Sequence, residues 1–195
     1  KRMKPLPALF YQRDTTTVTR ELLGKKLCHM KDGVLTAGII TEIEAYLRAK
    51  DPACHTFEGH RSKRVESMYL AGGHAYIYFI YGMHFCFNVV TKSDVEPEAV
   101  LVRALSPTDG VSVMKKRRDL RQSAENLLCS GPGKLCQALG INRDQDRKSL
   151  QGPELWIMQA IAFSKIEPNI RADPRVGIPN AAAAKDWPLR FSIKI

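Results

Sequence analysis

A chain of 195 residues with 44% hydrophobic residues is long enough for one globular domain, residues 1–195, with a real core. Thirty Lys and Arg against twenty Asp and Glu leave a formal charge of +10 and a pI near 9.5, which points first to nucleic acid; plain solubility is the competing reading of charge alone. Five Cys without a CxxC pair exclude a dense disulfide framework and read as reduced thiols, the five His never join Cys at zinc spacing, and no apolar run reaches ~18 residues, so no metal, cofactor or membrane span is expected.

At the amino end no charged head precedes an apolar core, so an intracellular protein without a secretory signal is expected, and the start at Lys1 reads as a trimmed chain. "RDTTTVTRELLGKKLCH" offers Asp14 or a following Thr as N-cap, a helix through Leu22 and Leu23, and Gly24 as its stop. "GVLTAGIITEIEAYL" predicts a strand, with Ile39, Thr41 and Ile43 on one face and Ile40, Glu42, Glu44 and Tyr46 on an acidic other face. Residues 48–67, carrying His55, His60, Arg61, Lys63 and Arg64, read as a loop or irregular helix of the kind that often bears function.

"HAYIYFIYGMHFCFN", from His74 to Asn88, predicts a hairpin, with Tyr76 and Tyr78 on one face, Tyr81 on the other, and Tyr81-Gly82-Met83 interrupting the apolar run near the tip. "EAVLVRALSP" predicts a further strand and "MKKRRDLRQ" a basic helix from about Met114. In "CSGPGKLCQALGI", Ser130, Gly131 and Lys134 gather at the start of a helical "KLCQALG", where free N–H groups can hold a phosphate. The GxxxxGK[ST] spacing of a nucleotide loop is missing, and an ordinary capped helix is the plainer reading of the fragment. The Pro- and Ala-rich tail from Glu167 closes with a strand-like "PLRFSIKI" and carries no chemical signal of its own.

An enzyme that acts on a base inside a duplex must extrude the nucleotide, and an exposed ring on a hairpin tip can fill the gap. Tyr81 suits that task; packing against its own protein is the alternative. Tyr46, Tyr78 and His55 can supply flat surfaces for an extruded base, which favour a cationic alkylated purine, although Tyr78 also fits a cross-strand aromatic pair. Glu44, two residues before Tyr46, can take a proton from a water attacking the sugar C1′. Glu42 is the rival base, and a solvated acidic face is the plainer reading of both.

Taken together, "EIEAYL…DPACH", "HAYIYFIYGMHFCFNVV", "AVLVRALSP" and "SGPGKLCQALGI", in this order, resemble the alkyladenine (3-methyladenine) DNA glycosylase family over most of the chain. The resemblance implies that Glu44 is the general base, that Tyr46 and Tyr78 stack on the flipped base, and that His55 lies against the base and the DNA backbone. It further implies that Tyr81 intercalates, with Met83 beside it, that Asn88 screens against the exocyclic amino group of guanine, and that Arg103 contacts the DNA near the flipped nucleotide at the catalytic centre. Arg64, Ser130, Gly131 and Lys134 would hold the DNA backbone. With no lysine nucleophile the family is monofunctional and leaves an abasic site. Arg48 stands where many members have Gly, Val65 where Asn is common and His84 where vertebrate members have Tyr, and the tail is short.

The combined expectation is an α+β single domain with a curved antiparallel sheet, surrounding helices and a protruding DNA-intercalating hairpin. As a monomer it would bind double-stranded DNA with damaged purines, 3-methyladenine or hypoxanthine, at no membrane and with no cofactor. Two rivals remain: a non-catalytic binder of single-stranded nucleic acid or damage, and a hydrolase of small free nucleosides.

Overall fold

The computed structural model describes residues 4–48, 50–120 and 124–195. A single turn of helix, α1 (Ala8–Tyr11), precedes α2 (Thr15–Leu22), which begins at Asp14. The Asp14 carboxylate accepts the Thr17 backbone N–H at 2.9 Å, satisfying one of the free donors of the first turn. Leu23 leaves the helix and Gly24 turns the chain at φ 72°, a conformation that costs glycine no Cβ clash.

Strands β1 (Lys26–Lys31) and β2 (Val34–Tyr46) form one hairpin, and β3 (Ala75–Ile80) and β4 (His84–Thr91) the other. The long strand β5 (Glu98–Asp109) joins them by pairing with β4 on one side and β2 on the other. Helices α3 (Val111–Arg117) and α4 (Pro132–Leu139) follow, then β6 (Leu155–Met158), α5 (Phe163–Ile166), β7 (Arg171–Asp173) and β8 (Arg190–Ser192). The sheet is antiparallel and curled, in the order β3-β4-β5-β2-β1-β6, as the α+β expectation required. Where β1 ends beside Ile39, β8 takes over the same edge of β2 at Glu42–Glu44 and brings the tail to the end of that strand.

Three predictions need correction. The alternation along β2 fails at Thr41: Ile40 pairs with Leu105 and Glu42 with Ala104, leaving Thr41 as an extra residue, while Arg103 is the extra residue on β5. Ile40 therefore joins Ile43 in the main core rather than sharing a face with Glu42, Glu44 and Tyr46. Helix α3 starts at Val111, not Met114, because the turn at Gly110 packs onto the Leu35 carbonyl, where an added Cβ would lie 2.4 Å away. It stops at Arg117; Arg121 and Gln122 of the predicted helix lie outside the described residues. Helix α4 begins two residues before Lys134, since the fixed φ of Pro132 suits the first helical position.

The two faces of the sheet differ in kind. On one, Ile40, Ile43, Ile77, Phe87, Val89, Val100 and Val102 pack beneath Leu22 of α2 and Leu135 and Leu139 of α4. Each such side chain contributes about 1.5–3 kcal/mol by leaving water. On the other face a smaller cluster forms from Tyr76, Val90 and Ala99 with Cys54, Val65 and Met68 of the segment between β2 and β3, and the rings of Tyr46 and Tyr78 pack against it. Among the described residues no helix is long and apolar enough to cross a membrane.

Candidate active site

Strand alternation sends Tyr46 from β2, Tyr76 and Tyr78 from β3, Cys86 and Asn88 from β4, and Leu101 and Arg103 from β5 to this second face, where they line a cavity of about 300 Å3. Ala53 and His55 wall it from the loop after β2, Pro132 from the start of α4, and Val176, Gly177 and Ile178 from the tail. Aromatic walls with a few fixed polar groups are the usual composition of a ligand pocket.

His55 and Tyr78 lie with ring centroids 4.2 Å apart and planes tilted by 37°, while His55 Nδ1 is 2.9 Å from the Tyr76 hydroxyl. The imidazole is exposed on its pocket side, and the protein packed around the rest of it, with Arg64 and His60 beside it, lowers its pKa to about 4. His55 is thus neutral at physiological pH. Asn88 is held from one side, its amide nitrogen donating to the carbonyls of Tyr76 at 3.1 Å and Cys86 at 3.3 Å.

Glu44 is fully buried behind this wall and is not part of a solvated face. One carboxylate oxygen accepts the Val176 backbone N–H at 2.8 Å; the other accepts the Tyr46 hydroxyl at 2.9 Å and lies 3.4 Å from the Arg103 guanidinium. Burial raises its pKa above the ordinary glutamate value, and Arg103, the Val176 amide, Tyr46 and Arg175 pull it back without cancelling that rise. Glu42, the rival base, is tied to Arg103 at 3.0 Å and Arg190 at 3.2 Å; neither carboxylate lines the cavity itself, but Glu44 touches it through Tyr46, Arg103 and Val176, which do. The β5 bulge at Arg103 lets one guanidinium reach both carboxylates.

Tyr81 is 87% exposed and Met83 68% exposed at the tip of the β3–β4 hairpin, so Tyr81 does not pack into its own protein. Its φ of 52° and that of Gly82, 66°, are the positive values that a tight type I′ turn requires at both central positions, and the Met83 N–H closes the turn on the Ile80 carbonyl at 3.2 Å. Tyrosine in a left-handed conformation is strained, which marks a position held for something other than stability. Tyr81 also lines the cavity beside Tyr78, contrary to the opposite-face prediction, because the turn ends the strand alternation.

Basic groups flank the hairpin base. Arg64 lies 4.3 Å from the Tyr78 ring centroid and donates to the Phe79 carbonyl at 2.5 Å. At the start of α4, Lys134 donates to the Ser130 hydroxyl at 3.4 Å, and a bridge between Ser130 and Ala104 fixes this end of the helix next to Arg103 and Gly131 beside the pocket-lining Pro132. None of the three departures lines the cavity. Val65 is buried in the aromatic cluster, Arg48 bonds the Val95 carbonyl on a neighbouring loop, and His84 packs against Gly133, whose added Cβ would lie 3.2 Å from it.

Sequence reasoning missed the tail. Arg175 is buried in a bidentate ion pair with Asp51, at 2.5 and 2.7 Å, and its guanidinium carbon lies 4.7 Å from the Tyr46 ring centroid. Nothing in a Pro-rich segment 124 positions from Asp51 signals that pairing.

The model of the methylpurine-DNA glycosylase family matches residues 9–195. A protein of Clostridium acetobutylicum named as a proposed 3-methyladenine DNA glycosylase is 44% identical over 193 residues, covering 95% of this chain and 92% of the relative. Similarly named proteins of Bacillus cereus and Bacillus mycoides are each 44% identical, covering 96% and 95% of this chain and 95% and 94% of their own lengths. With its pocket, buried carboxylate and exposed tyrosine on one sheet face, the chain belongs to the methylpurine-DNA glycosylase family, enzymes that hydrolyse N-glycosidic bonds.

Proposed function

We propose that this protein turns an alkylated or deaminated purine, 3-methyladenine or hypoxanthine, out of duplex DNA into the aromatic pocket and hydrolyses its N-glycosidic bond. The observation that carries this reading is a buried, hydrogen-bonded carboxylate behind an aromatic cavity that has a strained, exposed tyrosine at its mouth. Tyr81, with Met83 beside it, enters the stack from the minor groove as the nucleotide leaves, offsetting part of the few kcal/mol of unstacking. Tyr46, His55 and Tyr78 receive the base. Asn88, tied to two strand carbonyls, cannot step aside for an N2 amino group, which disfavours guanine.

Glu44 takes a proton from water as the water oxygen bonds to C1′, and the bonding pair of the glycosidic bond leaves with the base. An alkylated base departs readily because it is already cationic. Arg103 steadies the ionised carboxylate and the adjacent backbone. The products are a free base and an abasic site in an uncut strand. Arg64, Ser130, Gly131 and Lys134 hold phosphates in a salt-sensitive, sequence-independent grip. The residues assigned to these roles all belong to one chain, and the proposed form is a monomer acting on DNA inside the cell.

A non-catalytic binder gives Glu44 no task, and a hydrolase of free nucleosides gives Tyr81 none. Single-turnover release of 3-methyladenine and hypoxanthine from duplex DNA, run for the wild type and Glu44→Gln, tests the reading. Release by the wild type alone is expected; wild-type binding to lesion DNA without release of any alkylated or deaminated purine would defeat it.

A further inference from the structure

We propose that the buried Asp51–Arg175 pair is a positioning unit for the reaction, clamping the end of β2 so that Glu44 and Tyr46 stay aligned with the pocket; the inference rests on the glycosylase reading above. The observation is that one segment of the tail grips three consecutive residues of β2. The next peptide N–H, of Val176, bonds Glu44 at 2.8 Å. The Arg175 guanidinium donates to the Ala45 carbonyl at 2.9 Å and lies against the Tyr46 ring at 4.7 Å. A second arm donates to the Ala184 carbonyl at 3.3 Å and so ties in the rest of the tail.

Asp51 orients the guanidinium and is itself held by the N–H groups of Leu47, at 3.0 Å, and Ala53, at 3.1 Å. That bond fixes the start of the loop from which Ala53 and His55 enter the pocket wall. The pair therefore links the carboxylate, the stacking ring, the loop and the tail through contiguous bonds. A fully buried ion pair is a poor source of net stability, because desolvation offsets most of the attraction and an apolar pair of similar volume usually serves as well. Only arginine combines a bidentate fork for Asp51 with a flat face for Tyr46. The charged and titratable groups around Glu44 are Arg103 of β5, Cys86 of β4, Glu42 and Tyr46 of β2 itself, Arg175 of the tail and, through Glu42, Arg190 of β8.

The test compares the wild type with the double variant Asp51→Leu/Arg175→Met and with Arg175→Lys. The double variant leaves no unpaired buried charge, but it strips partners from the N–H groups of Leu47 and Ala53 and the carbonyls of Ala45 and Ala184, so its thermal midpoint should fall by several degrees while the fold survives at the assay temperature. Its lesion-duplex affinity should stay within about threefold, while single-turnover base release falls at least about tenfold through misalignment. The acid limb of its pH–rate profile should move slightly to higher pH, because of the two lost charges only Arg175 acts on Glu44 directly, and it is the weakest of the groups that favour the ionised carboxylate. Arg175→Lys, which keeps the charge and loses the fork and flat face, should slow release with a smaller movement of that limb. Release at the wild-type rate with an unmoved acid limb, in the double variant or, should that not fold, in Arg175→Lys, would overturn the proposal. So would a rate loss matched by an equal loss of lesion binding with the limb unmoved. Carboxyl 13C titration of Glu44 in the free protein gives a readout that needs no turnover: a raised midpoint in the double variant is expected, and an unchanged one counts against positioning even if the wild type released no base.

Discussion

Tyr46 and Tyr81 both end strands on the pocket side of the sheet, yet their surroundings are opposite. Tyr46 is half-buried, its hydroxyl bonded to Glu44 and its ring under Arg175. Tyr81 is 87% exposed, with its backbone in a left-handed conformation and its ring unsupported. The pocket floor holds a carboxyl group out of water, whereas the hairpin tip carries backbone strain and exposed apolar area. At the floor, function lies in the fixed positions of polar atoms, so small changes should remove chemistry and spare binding. At the tip it lies in a free ring, so changes should weaken flipping and spare the fold.

Glu44→Gln should show the largest effect, lowering single-turnover base release by about 10²–10⁴-fold while lesion binding holds, as expected for loss of a general base. Equal losses in rate and affinity would erase the distinction between floor and tip. Its stability makes a second check. A carboxyl whose folded pKa is raised contributes most at low pH, and that contribution is lost as pH rises through the folded value, so Glu44 favours the folded wild type less as pH rises from the acid range. Denaturant titration should find Glu44→Gln gaining stability relative to the wild type over that rise.

Tyr81→Asn should come next, slowing release from a lesion duplex by about 10–100-fold through the loss of the wedge. The same change should stabilise the protein by about 1 kcal/mol, because asparagine tolerates φ 52° better than tyrosine, and a thermal melt would measure it. A destabilised Tyr81→Asn would show that the ring packs on the protein after all. The pH–rate profile sharpens the floor side: because the Glu44 pKa is raised, the acid limb should lie above the ordinary glutamate range and fall about tenfold per pH unit below it. His55, with a pKa of about 4, should add no second inflection between pH 5 and 7, and its own 1H–15N titration would confirm the assignment.

Much of this organisation was legible along the chain. Asp14 as a cap, the hairpin around Tyr81-Gly82-Met83 and the long "EAVLVRALSP" strand follow from local rules of capping, turn chemistry and period-two alternation, and the structure contains each. The convergence of Tyr46, Tyr78 and His55 also followed, once the motifs were taken together. The bulge at Thr41 did not, since it depends on how β5 meets β2 and not on either strand alone.

By itself, then, the order of residues determined which side chains are chemically able to stack, wedge or accept a proton, because those capacities reside in residue type and short-range spacing. Only the tertiary structure decided which of two strand glutamates is dehydrated and wired to Tyr46, and that the tail's Arg175 and Val176 complete its surroundings. Burial and partner geometry are set by segments more than a hundred residues apart in the chain, and no local pattern encodes where such segments meet.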